Sequence, residues 1–316
     1  MRKLLITRPL PEAVITAAKG RYDTTVRENT APLSPQEVRA ALREYDAILP
    51  TLGDLFRADV FADVPQPRAK ILANFGVGYN HIDATAARAA GTAVTNTPGA
   101  VTDATADVAM TLLLMTARRA GEGERLVRAG QWAGWHPTQM LGTHVTGARV
   151  GIIGMGRIGK AIARRCHFGF GMSVLFHNRS AVDDPGCPAQ QVSMAQAMAA
   201  DFVVVAVPGS PATHHLINAE TLGCMRPDGI LINVSRGDVV DEAALIAALR
   251  AGQIAGAGLD VYEFEPKVPA ALQAMENITL LPHLGTAVPE VRQAMGLMAV
   301  ANLIAHLDGK PLPNAV

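Results

Sequence analysis

A glycine-rich turn set between a buried strand and a helix most constrains what this chain can fold into. The apolar run Val150–Ile153 has the length and β-branched content of a buried strand. The pattern Gly-x-Gly-x-x-Gly follows it directly over Gly154–Gly159, and apolar residues then recur at helical spacing at Ile158, Ile162 and Cys166. Strand, turn and helix in this order suit a pyrophosphate: the first glycine makes the turn, the second admits the phosphates, and the third packs helix on strand. The segment predicts a dinucleotide-binding domain.

The end of the next strand bears on the choice of dinucleotide. A strand over Met172–Phe176 leads into Asn178, Arg179 and Ser180. An NAD site usually carries an acid there, about 20 residues past the glycines, to bind the ribose 2′-hydroxyl. This strand end has no acid, and a guanidinium with two small polar side chains would hold a 2′-phosphate instead. The pattern predicts a preference for NADP(H), with NAD(H) as the lesser cofactor; the alternative is that Arg179 is a solvated loop arginine.

Composition narrows the class of protein. A chain of 316 residues is long enough for two domains. Its 28 Lys and Arg balance 28 Asp and Glu, so no net field would attract nucleic acid or an anionic membrane, and no apolar run approaches a membrane span. The three cysteines have no motif spacing. We therefore expect reduced thiols, a cytoplasmic location, and neither nucleic-acid nor membrane partners.

The first hundred residues alternate strand and helix signals. Ser34 and Glu37 are spaced as a capping box that opens a helix, and Pro11–Lys19 is a second helical segment. Short buried strands are predicted at Leu4–Thr7, Tyr22–Val26, Ala47–Pro50, Ala69–Asn74 and Thr92–Asn96. Strands that alternate with helices favour a parallel sheet, and this part of the chain has no dinucleotide fingerprint of its own.

The rest of the chain continues the α/β alternation after a long helix and an irregular segment. The helix, Val101–Arg119, is apolar on nearly every side, and Gly121–Gly147 contains both tryptophans, Trp132 and Trp135. Long irregular segments in compact domains are usually functional or form interfaces. Further strands are predicted at Asp201–Val207, Gly229–Val234, Ile254–Val261 and Ile278–Leu281. A final helix, Val288–His306, is expected to return to the first domain through Val288, Val291, Met295 and Met298.

Three residues able to do chemistry follow strands of the second half: Arg236, Glu265 and His283. Ligands of open parallel sheets bind outside the carboxyl ends of the strands. Each residue alone would usually be a solvated charge or a structural histidine. Together, an arginine can grip a carboxylate, a histidine can exchange a proton near neutral pH, and a carboxylate can orient the histidine. Those are the groups needed to reduce a 2-oxo acid with NAD(P)H.

The chain resembles the D-isomer-specific 2-hydroxyacid dehydrogenases over nearly its whole length. The resemblance rests on five segments: Asn96–Arg119, Gly151–Gly159, Leu231–Asp241, Gly258–Pro266 and Leu281–Ala287. Within that family it is most similar to the NADP-dependent glyoxylate/hydroxypyruvate reductases, through Trp132–Gly142 and the His-Asn-Arg-Ser run at 177–180. The resemblance implies a Rossmann-type cofactor domain at 99–287. It also implies a flavodoxin-like substrate domain at 1–98 and 288–316, with a cleft between the two doubly wound domains.

The resemblance also implies roles for individual residues. Arg236 would anchor the substrate carboxylate, His283 would be the acid/base and Glu265 its partner. Backbone at Val77 and Gly78 would complete substrate binding, and Trp135 would reach the substrate pocket of a neighbouring subunit in a homodimer. Asp260 would hold the nicotinamide carboxamide. The full implied cofactor set is Thr102, Gly154, Gly156, Arg157, Ile158, Gly159, Asn178, Arg179, Ser180, Val207, Pro208, Thr213, Val234, Ser235, Asp260, His283 and Gly285.

Two histidine features are assigned no catalytic or metal-binding role. Family members commonly have Asp-Asn where this chain has Asn80 and His81, so His81 is treated as structural. His214 and His215 are adjacent in sequence, and residues at i and i+1 rarely converge on one ion. No metal site is predicted.

The sequence thus predicts NADPH-dependent reduction of glyoxylate or hydroxypyruvate to glycolate or D-glycerate, with a small 2-oxo or 2-hydroxy acid as ligand. One alternative is another member of the family, an NAD-linked enzyme of the D-lactate or phosphoglycerate type, which Asn178 and Arg179 disfavour. Formate dehydrogenase relatives carry glutamine where this chain has Glu265, so that branch of the family is disfavoured. A second alternative is a dinucleotide-sensing corepressor, which measurable turnover would exclude.

Overall fold

The computed structural model describes residues 1–316, which fold into two compact units. The first unit combines Met1–Val101 with Ala287–Val316, and the second is Thr102–Thr286. Each unit is built on one sheet whose paired strands all run parallel, with helices in the connections. The predicted fold class, two α/β domains with parallel sheets, is therefore confirmed, and it follows from the alternation of strand and helix signals along the chain.

The first unit contains a five-stranded sheet in the order β2-β1-β3-β4-β5. Its strands are short, and the two strands Ala47–Leu49 and Ile71–Ala73 are buried at every position, as expected for a sheet covered on both faces. The elements are β1 (Lys3–Ile6), α1 (Glu12–Lys19), β2 (Asp23–Val26), α2 (Pro35–Glu44), β3 (Ala47–Leu49), α3 (Ala58–Asp63), β4 (Ile71–Ala73), α4 (Ala84–Ala89), β5 (Ala93–Thr95) and the C-terminal α12 (Pro289–Leu307).

The helices α2 and α12 test two predictions made from the sequence, a capping box and a helix that packs on the first unit. Ser34 Oγ accepts from the Glu37 N–H and the Glu37 carboxylate accepts from the Ser34 N–H, which confirms the capping box of α2. The C-terminal helix does return to the first unit, where Gly296 lies so close to α1 that a Cβ would come within 2.4 Å of Val14. The predicted face of α12 is partly wrong. Of its four residues only Met295 is fully buried, and the buried face continues through Ala299, Val300 and Leu303.

The second unit contains a seven-stranded sheet in the order β12-β11-β10-β9-β6-β7-β8. The strand Phe202–Val205 is buried at every position, as its β-branched run predicts. The elements are α5 (Thr102–Ala117), α6 (Ala120–Arg128), β6 (Arg149–Ile153), α7 (Arg157–Arg164) with a π-helical extension Arg165–Gly169, β7 (Ser173–His177), β8 (Ala189–Gln191), α8 (Met194–Met198), β9 (Phe202–Val205), α9 (Ala219–Leu222), β10 (Ile230–Asn233), α10 (Glu242–Arg250), β11 (Gly256–Leu259), α11 (Ala270–Gln273) and β12 (Ile278–Leu280).

The register of the second sheet brings the ends of six strands level. Ile153 pairs with both His177 and Val205, Val205 pairs with Asn233, and Leu259 pairs with both Asn233 and Leu280. Because all these pairs are parallel, the loops that follow the six strands emerge at one edge of the sheet. The residues singled out by the sequence at strand ends therefore share that edge.

The segment Gly121–Gly147 is not irregular throughout. Its first part belongs to α6, Ala120–Arg128, none of whose residues is buried. Trp132 and Trp135 follow in a loop without regular structure and are 53% and 78% exposed. No helix of the protein is both long and apolar enough to cross a lipid bilayer.

Candidate active site

The glycine turn at the end of β6 has the backbone geometry that each glycine position demands. Gly154 adopts φ of +99°, in the region that favours glycine. A Cβ at Gly159 would lie 2.0 Å from the Gly154 carbonyl oxygen, so only glycine lets α7 pack this closely on the turn. A Cβ at Gly156 would meet no atom within 4 Å. The turn thus leaves open space beside Gly156, at the N-terminus of α7, where a pyrophosphate would need it.

These two glycines should respond to the same substitution in opposite ways. Gly159→Ala forces a methyl group against the Gly154 carbonyl, so we expect the free energy of unfolding to fall by about 3 kcal/mol. Gly156→Ala has room in the folded chain and should cost less than about 1 kcal/mol, but its methyl group occupies the phosphate approach and should raise the dinucleotide Kd about tenfold or more. Urea denaturation and calorimetric titration of both variants separate the two effects. Equal loss of stability in both would contradict this assignment.

The loop after β7 is tied to the glycine turn. The Met155 N–H donates to Asn178 Oδ1 at 3.2 Å, and Asn178 Nδ2 donates to the Ser180 carbonyl at 3.0 Å. Arg179 is exposed and takes part in no ion pair, and the strand end at 177–180 carries no acidic residue. The arrangement leaves the side chains of Arg179 and Ser180 exposed at the end of β7.

Arg236 follows β10 at the same edge of the sheet. Its side chain is half-buried and donates from Nη1 to the Ser235 carbonyl at 2.7 Å. A Cβ at Gly209, after β9, would lie 2.7 Å from Arg236 Cγ, so the glycine leaves room for this side chain. Burial lowers the pKa of Arg236 and the negative charge of Glu265 opposes that shift. The guanidinium stays charged at neutral pH, because arginine is not deprotonated in proteins.

Glu265 and His283 form a hydrogen-bonded pair above the ends of β11 and β12. Their distance is 2.8 Å between Glu265 Oε2 and His283 Nδ1, and each side chain is 29% exposed. Burial would raise the pKa of Glu265. The hydrogen bond and charge of His283, the Tyr262 N–H and the charge of Arg236 outweigh burial and hold that pKa below its usual value. An ionised carboxylate accepts from Nδ1–H, which leaves the Nε2 atom of His283 to face a ligand.

The backbone of His283 is held in a left-handed conformation, with φ of +56°. Such a conformation costs a non-glycine residue roughly 1–2 kcal/mol and requires compensating contacts. Asp260 supplies them. Its carbonyl accepts from the His283 N–H at 2.9 Å, and its buried carboxylate accepts from the N–H groups of Leu284 (2.6 Å) and Gly285 (2.8 Å). Burial raises the pKa of Asp260, an effect that these two bonds oppose.

Tyr262 is a residue of this site that the sequence analysis did not single out. Its N–H donates to Glu265 Oε1 at 3.0 Å, and its hydroxyl donates to the Leu281 carbonyl at 2.9 Å. Both oxygens of Glu265 are therefore engaged, one by Tyr262 and one by His283. The turn packs tightly on Gly237, where a Cβ would fall 1.8 Å from the Tyr262 carbonyl carbon. The only sequence signal was its position between Asp260 and Glu265.

In the first unit, the turn that contains Val77 and Gly78 offers two backbone donors. The three carbonyls of the turn are all engaged: Asn74 Nδ2 donates to Gly76 (3.0 Å) and Gly78 (3.1 Å), and Asn96 Nδ2 donates to Val77 (2.9 Å). The N–H groups of Val77 and Gly78 make no hydrogen bond within the protein. Such a turn suits an anionic oxygen. Neither asparagine was predicted as a site residue, although each directly follows a short strand.

His81 lies behind this turn. It is buried, and its Nε2 lies 3.0 Å from Asn74 Oδ1. The contact orients the Asn74 amide so that its N–H groups point to the turn carbonyls. His81 therefore acts on the turn through Asn74.

The remaining predicted residues lie in loops that follow strands and at the starts of two helices. Val207, Pro208 and Thr213 are in the loop after β9, where Thr213 Oγ1 donates to the Pro208 carbonyl at 2.7 Å. Val234 and Ser235 follow β10, and Ser235 Oγ donates to Asn233 Oδ1 at 2.7 Å. Arg157 and Ile158 open α7, and Thr102 opens α5. Gly285 is held by Asp260, as described above, and its carbonyl accepts from Thr105 Oγ1 at 3.2 Å. Trp135 is not brought to any of these residues and is exposed.

His214 and His215 stack on each other with 3.9 Å between ring centroids. His215 Nε2 lies 2.9 Å from Glu263 Oε1, and the Glu263 N–H donates to the buried Glu242 carboxyl at 3.0 Å. Burial raises the pKa of Glu242. No group of three or more His, Cys, Asp or Glu side chains is arranged to hold a metal ion.

Comparison with known proteins shows that this chain matches a family model and is similar to full-length relatives. The family model described as D-isomer specific 2-hydroxyacid dehydrogenase, NAD binding domain, matches residues 110–285. A glyoxylate reductase from Thermococcus onnurineus is 42% identical over 99% of this chain and 95% of that protein. A glyoxylate reductase from Pyrococcus furiosus is 40% identical with the same coverage of both chains.

Solved structures with the same fold include two reductases. One is an NADPH-dependent glyoxylate/hydroxypyruvate reductase from Sinorhizobium meliloti in complex with NADP and malonate, with a TM-score of 0.88, 37% identity, and coverage of 100% of this chain and 96% of the other. The second is a glyoxylate reductase from Paecilomyes thermophila, with a TM-score of 0.89, 30% identity, and coverage of 100% and 98%.

Proposed function

The chain belongs to the D-isomer-specific 2-hydroxyacid dehydrogenases and is an NAD(P)-dependent enzyme that reduces a 2-oxo acid, and from that premise we propose that its substrates are glyoxylate and hydroxypyruvate and its preferred reductant NADPH. The products would be glycolate and D-glycerate. The observation that carries the proposal is the pair formed by His283 and Glu265, 2.8 Å apart, with the charged Arg236 near enough to shift the pKa of Glu265.

Each side chain of this group has one task in the proposed reaction. The Arg236 guanidinium binds the substrate carboxylate through parallel N–H donors and thereby places the neighbouring carbonyl. His283 Nε2, free of protein partners, donates a proton to the carbonyl oxygen as the alkoxide forms. Glu265 stabilises the positive charge that the protonated ring carries before this transfer and fixes the orientation of the ring; the ring is neutral once the proton has been given. The bound nicotinamide supplies the hydride that the carbonyl carbon receives. In the first unit, the N–H groups of Val77 and Gly78 are proposed as further substrate contacts.

The nicotinamide dinucleotide fits the second unit on geometric grounds. The open space beside Gly156 and the left-handed Gly154 form a cradle at the N-terminus of α7 that a side chain would fill. The preference for NADPH is supported by the loop after β7, where the exposed Arg179 has no competing ion pair and the strand end carries Asn178 in place of an acid that would repel a 2′-phosphate. Asp260 is proposed as a carboxamide contact in addition to its hold on His283.

A panel of 2-oxo acids tests the proposal directly. Glyoxylate and hydroxypyruvate should consume NADPH with the largest kcat/KM, pyruvate and bulkier 2-oxo acids should be weaker, and NADH should serve less well than NADPH. A clear preference for NADH would end the cofactor assignment. No turnover with any 2-oxo acid would end the substrate assignment and favour a dinucleotide sensor.

A homodimer is proposed from the exposed segment that follows α5. None of the nine residues of α6 is buried, and Trp132, Trp135 and Leu141 lie close in sequence with more than half of each surface exposed. Such an apolar surface is typical of an interface. In this proposal Trp135 reaches the substrate pocket of the partner. The sedimentation coefficient of the purified protein tests the dimer, and a monomer at micromolar concentration would refute it.

A further inference from the structure

The loop 178–182, which would bind the 2′-phosphate, is hydrogen-bonded by one side chain of the neighbouring strand β8. Gln191 ends β8 and pairs with Phe176 of β7. Its Nε2 donates to the carbonyls of Asn178 (3.2 Å) and Ser180 (3.0 Å), and its Oε1 accepts from the Val182 N–H (3.1 Å). A single amide thus satisfies three backbone groups on both sides of Arg179.

Asn178, a side chain of the loop itself, contacts both the glycine turn and Ser180. Asn178 faces the glycine turn, where its Oδ1 accepts from the Met155 N–H, and its Nδ2 donates to the carbonyl and hydroxyl of Ser180. Asn178 therefore fixes the start of the loop against the pyrophosphate site. Gln191 fixes the stretch from Asn178 to Val182, which carries Arg179 and Ser180.

From this division of contacts we infer that Gln191 is a positioning residue for cofactor choice, which holds Arg179 and Ser180 where a 2′-phosphate binds and contributes little to the rest of the dinucleotide. The inference rests on the proposed preference for NADPH. The 2′-phosphate is the only group by which NADPH differs from NADH, and an arginine loses less entropy on binding when its backbone is already fixed. Loosening the loop should therefore weaken NADP⁺ and leave NAD⁺ nearly unchanged.

The substitution Gln191→Ala removes all three hydrogen bonds. We expect the Kd of NADP⁺ to rise about tenfold, a change in binding free energy equal to the net contribution of about one or two hydrogen bonds. The Kd of NAD⁺ should change less than twofold. Gln191→Glu keeps an acceptor for the Val182 N–H but sets a carboxylate against two carbonyls, so it should impair NADP⁺ binding at least as much. Gln190→Ala is the matched control, since Gln190 is an exposed neighbour on β8 and forms no side-chain hydrogen bond.

A double-mutant cycle with Arg179→Ala distinguishes positioning from general destabilisation. If Gln191 acts through the loop that carries Arg179, Gln191→Ala should change the NADP⁺ Kd by less than twofold once Arg179 has been removed. Calorimetric titration of NADP⁺ and NAD⁺ into the four proteins gives the required constants without catalysis.

Each outcome of the titrations has a distinct meaning. An NADP⁺ preference that Arg179→Ala abolishes and Gln191→Ala leaves intact would refute the inference while the proposed cofactor stands. Equal weakening of NADP⁺ and NAD⁺, or additive effects in the cycle, would show that Gln191 is merely structural and would also refute it. A wild-type protein that binds NAD⁺ more tightly would overturn the proposed cofactor and this inference together.

Discussion

Replacing His283 by asparagine abolishes nearly all reductive turnover, with kcat for glyoxylate expected to fall by about 10³–10⁴. Asparagine is chosen because it tolerates the left-handed backbone that His283 adopts, at φ of +56°, so the turn held by Asp260 should survive. The variant lacks a group that can donate a proton near neutral pH. Stopped-flow measurement of NADPH oxidation checks the rate, and calorimetric titration of NADP⁺ should show a Kd within about threefold of the wild-type value.

The second unit contains a matched control histidine. His215 also has a left-handed backbone, with φ of +49°, and also pairs with a carboxylate, Glu263, at 2.9 Å. It has no role in the proposed reaction, so His215→Asn should retain kcat within about fivefold. If His283→Asn remained as active as His215→Asn, the acid/base role would have to move to another residue.

Glu265→Gln separates the charge of the partner from its geometry. Glutamine can still accept from His283 Nδ1, but it does not favour the protonated ring as the ionised carboxylate does. Since the pKa of Glu265 lies below its usual value, the wild-type carboxylate is charged throughout the neutral range. The variant should therefore reduce glyoxylate only at lower pH, with the half-maximal pH of kcat/KM falling by about one unit.

Much of this site could be predicted from the sequence because it lies at strand ends. Arg236 and His283 each come shortly after a strand, and parallel strands bring the residues that follow them to one edge of the sheet whatever the details of packing. The glycine turn could also be predicted from the sequence. Gly154 has a φ of +99°, and Gly159 packs against the Gly154 carbonyl, so both positions favour a residue without a side chain. Local pattern and strand order were sufficient for these residues.

Other parts depend on contacts that no local pattern encodes. Asp260, from a different strand end, holds the left-handed backbone of His283. Tyr262 engages Glu265 through a backbone N–H, which every residue type except proline has. Gln191 reaches its loop only because β8 pairs with β7. The helix α6 was missed because none of its residues is buried and because charged pairs such as Glu124 with Arg128 occupy its surface, so the sequence shows no apolar face there.

Replacing Arg236 by lysine tests the carboxylate anchor with the second-largest expected effect, a fall in kcat/KM for glyoxylate of about 10²–10³. Lysine keeps the positive charge but cannot present two parallel N–H donors, and it cannot reproduce the contact that Arg236 Nη1 makes with the Ser235 carbonyl at 2.7 Å. Steady-state kinetics over a range of glyoxylate concentrations at saturating NADPH measures the loss. Most of it should fall on KM, because the carboxylate is bound in the ground state as well as in the transition state.

Two controls make this result specific for carboxylate binding. Arg226 donates two hydrogen bonds to Asp228, at 2.8 and 2.9 Å, after α9, so Arg226→Lys changes a paired arginine outside the proposed site and should leave kcat/KM unchanged. Glycolaldehyde, which has a carbonyl but no carboxylate, should be a poor substrate for the wild-type enzyme and no poorer for Arg236→Lys. Arg236 would not be the carboxylate anchor if the variant kept its full kcat/KM for glyoxylate, or if it lost activity equally with both carbonyl compounds. Only a contact with the carboxylate, which glycolaldehyde lacks, can discriminate between the two substrates.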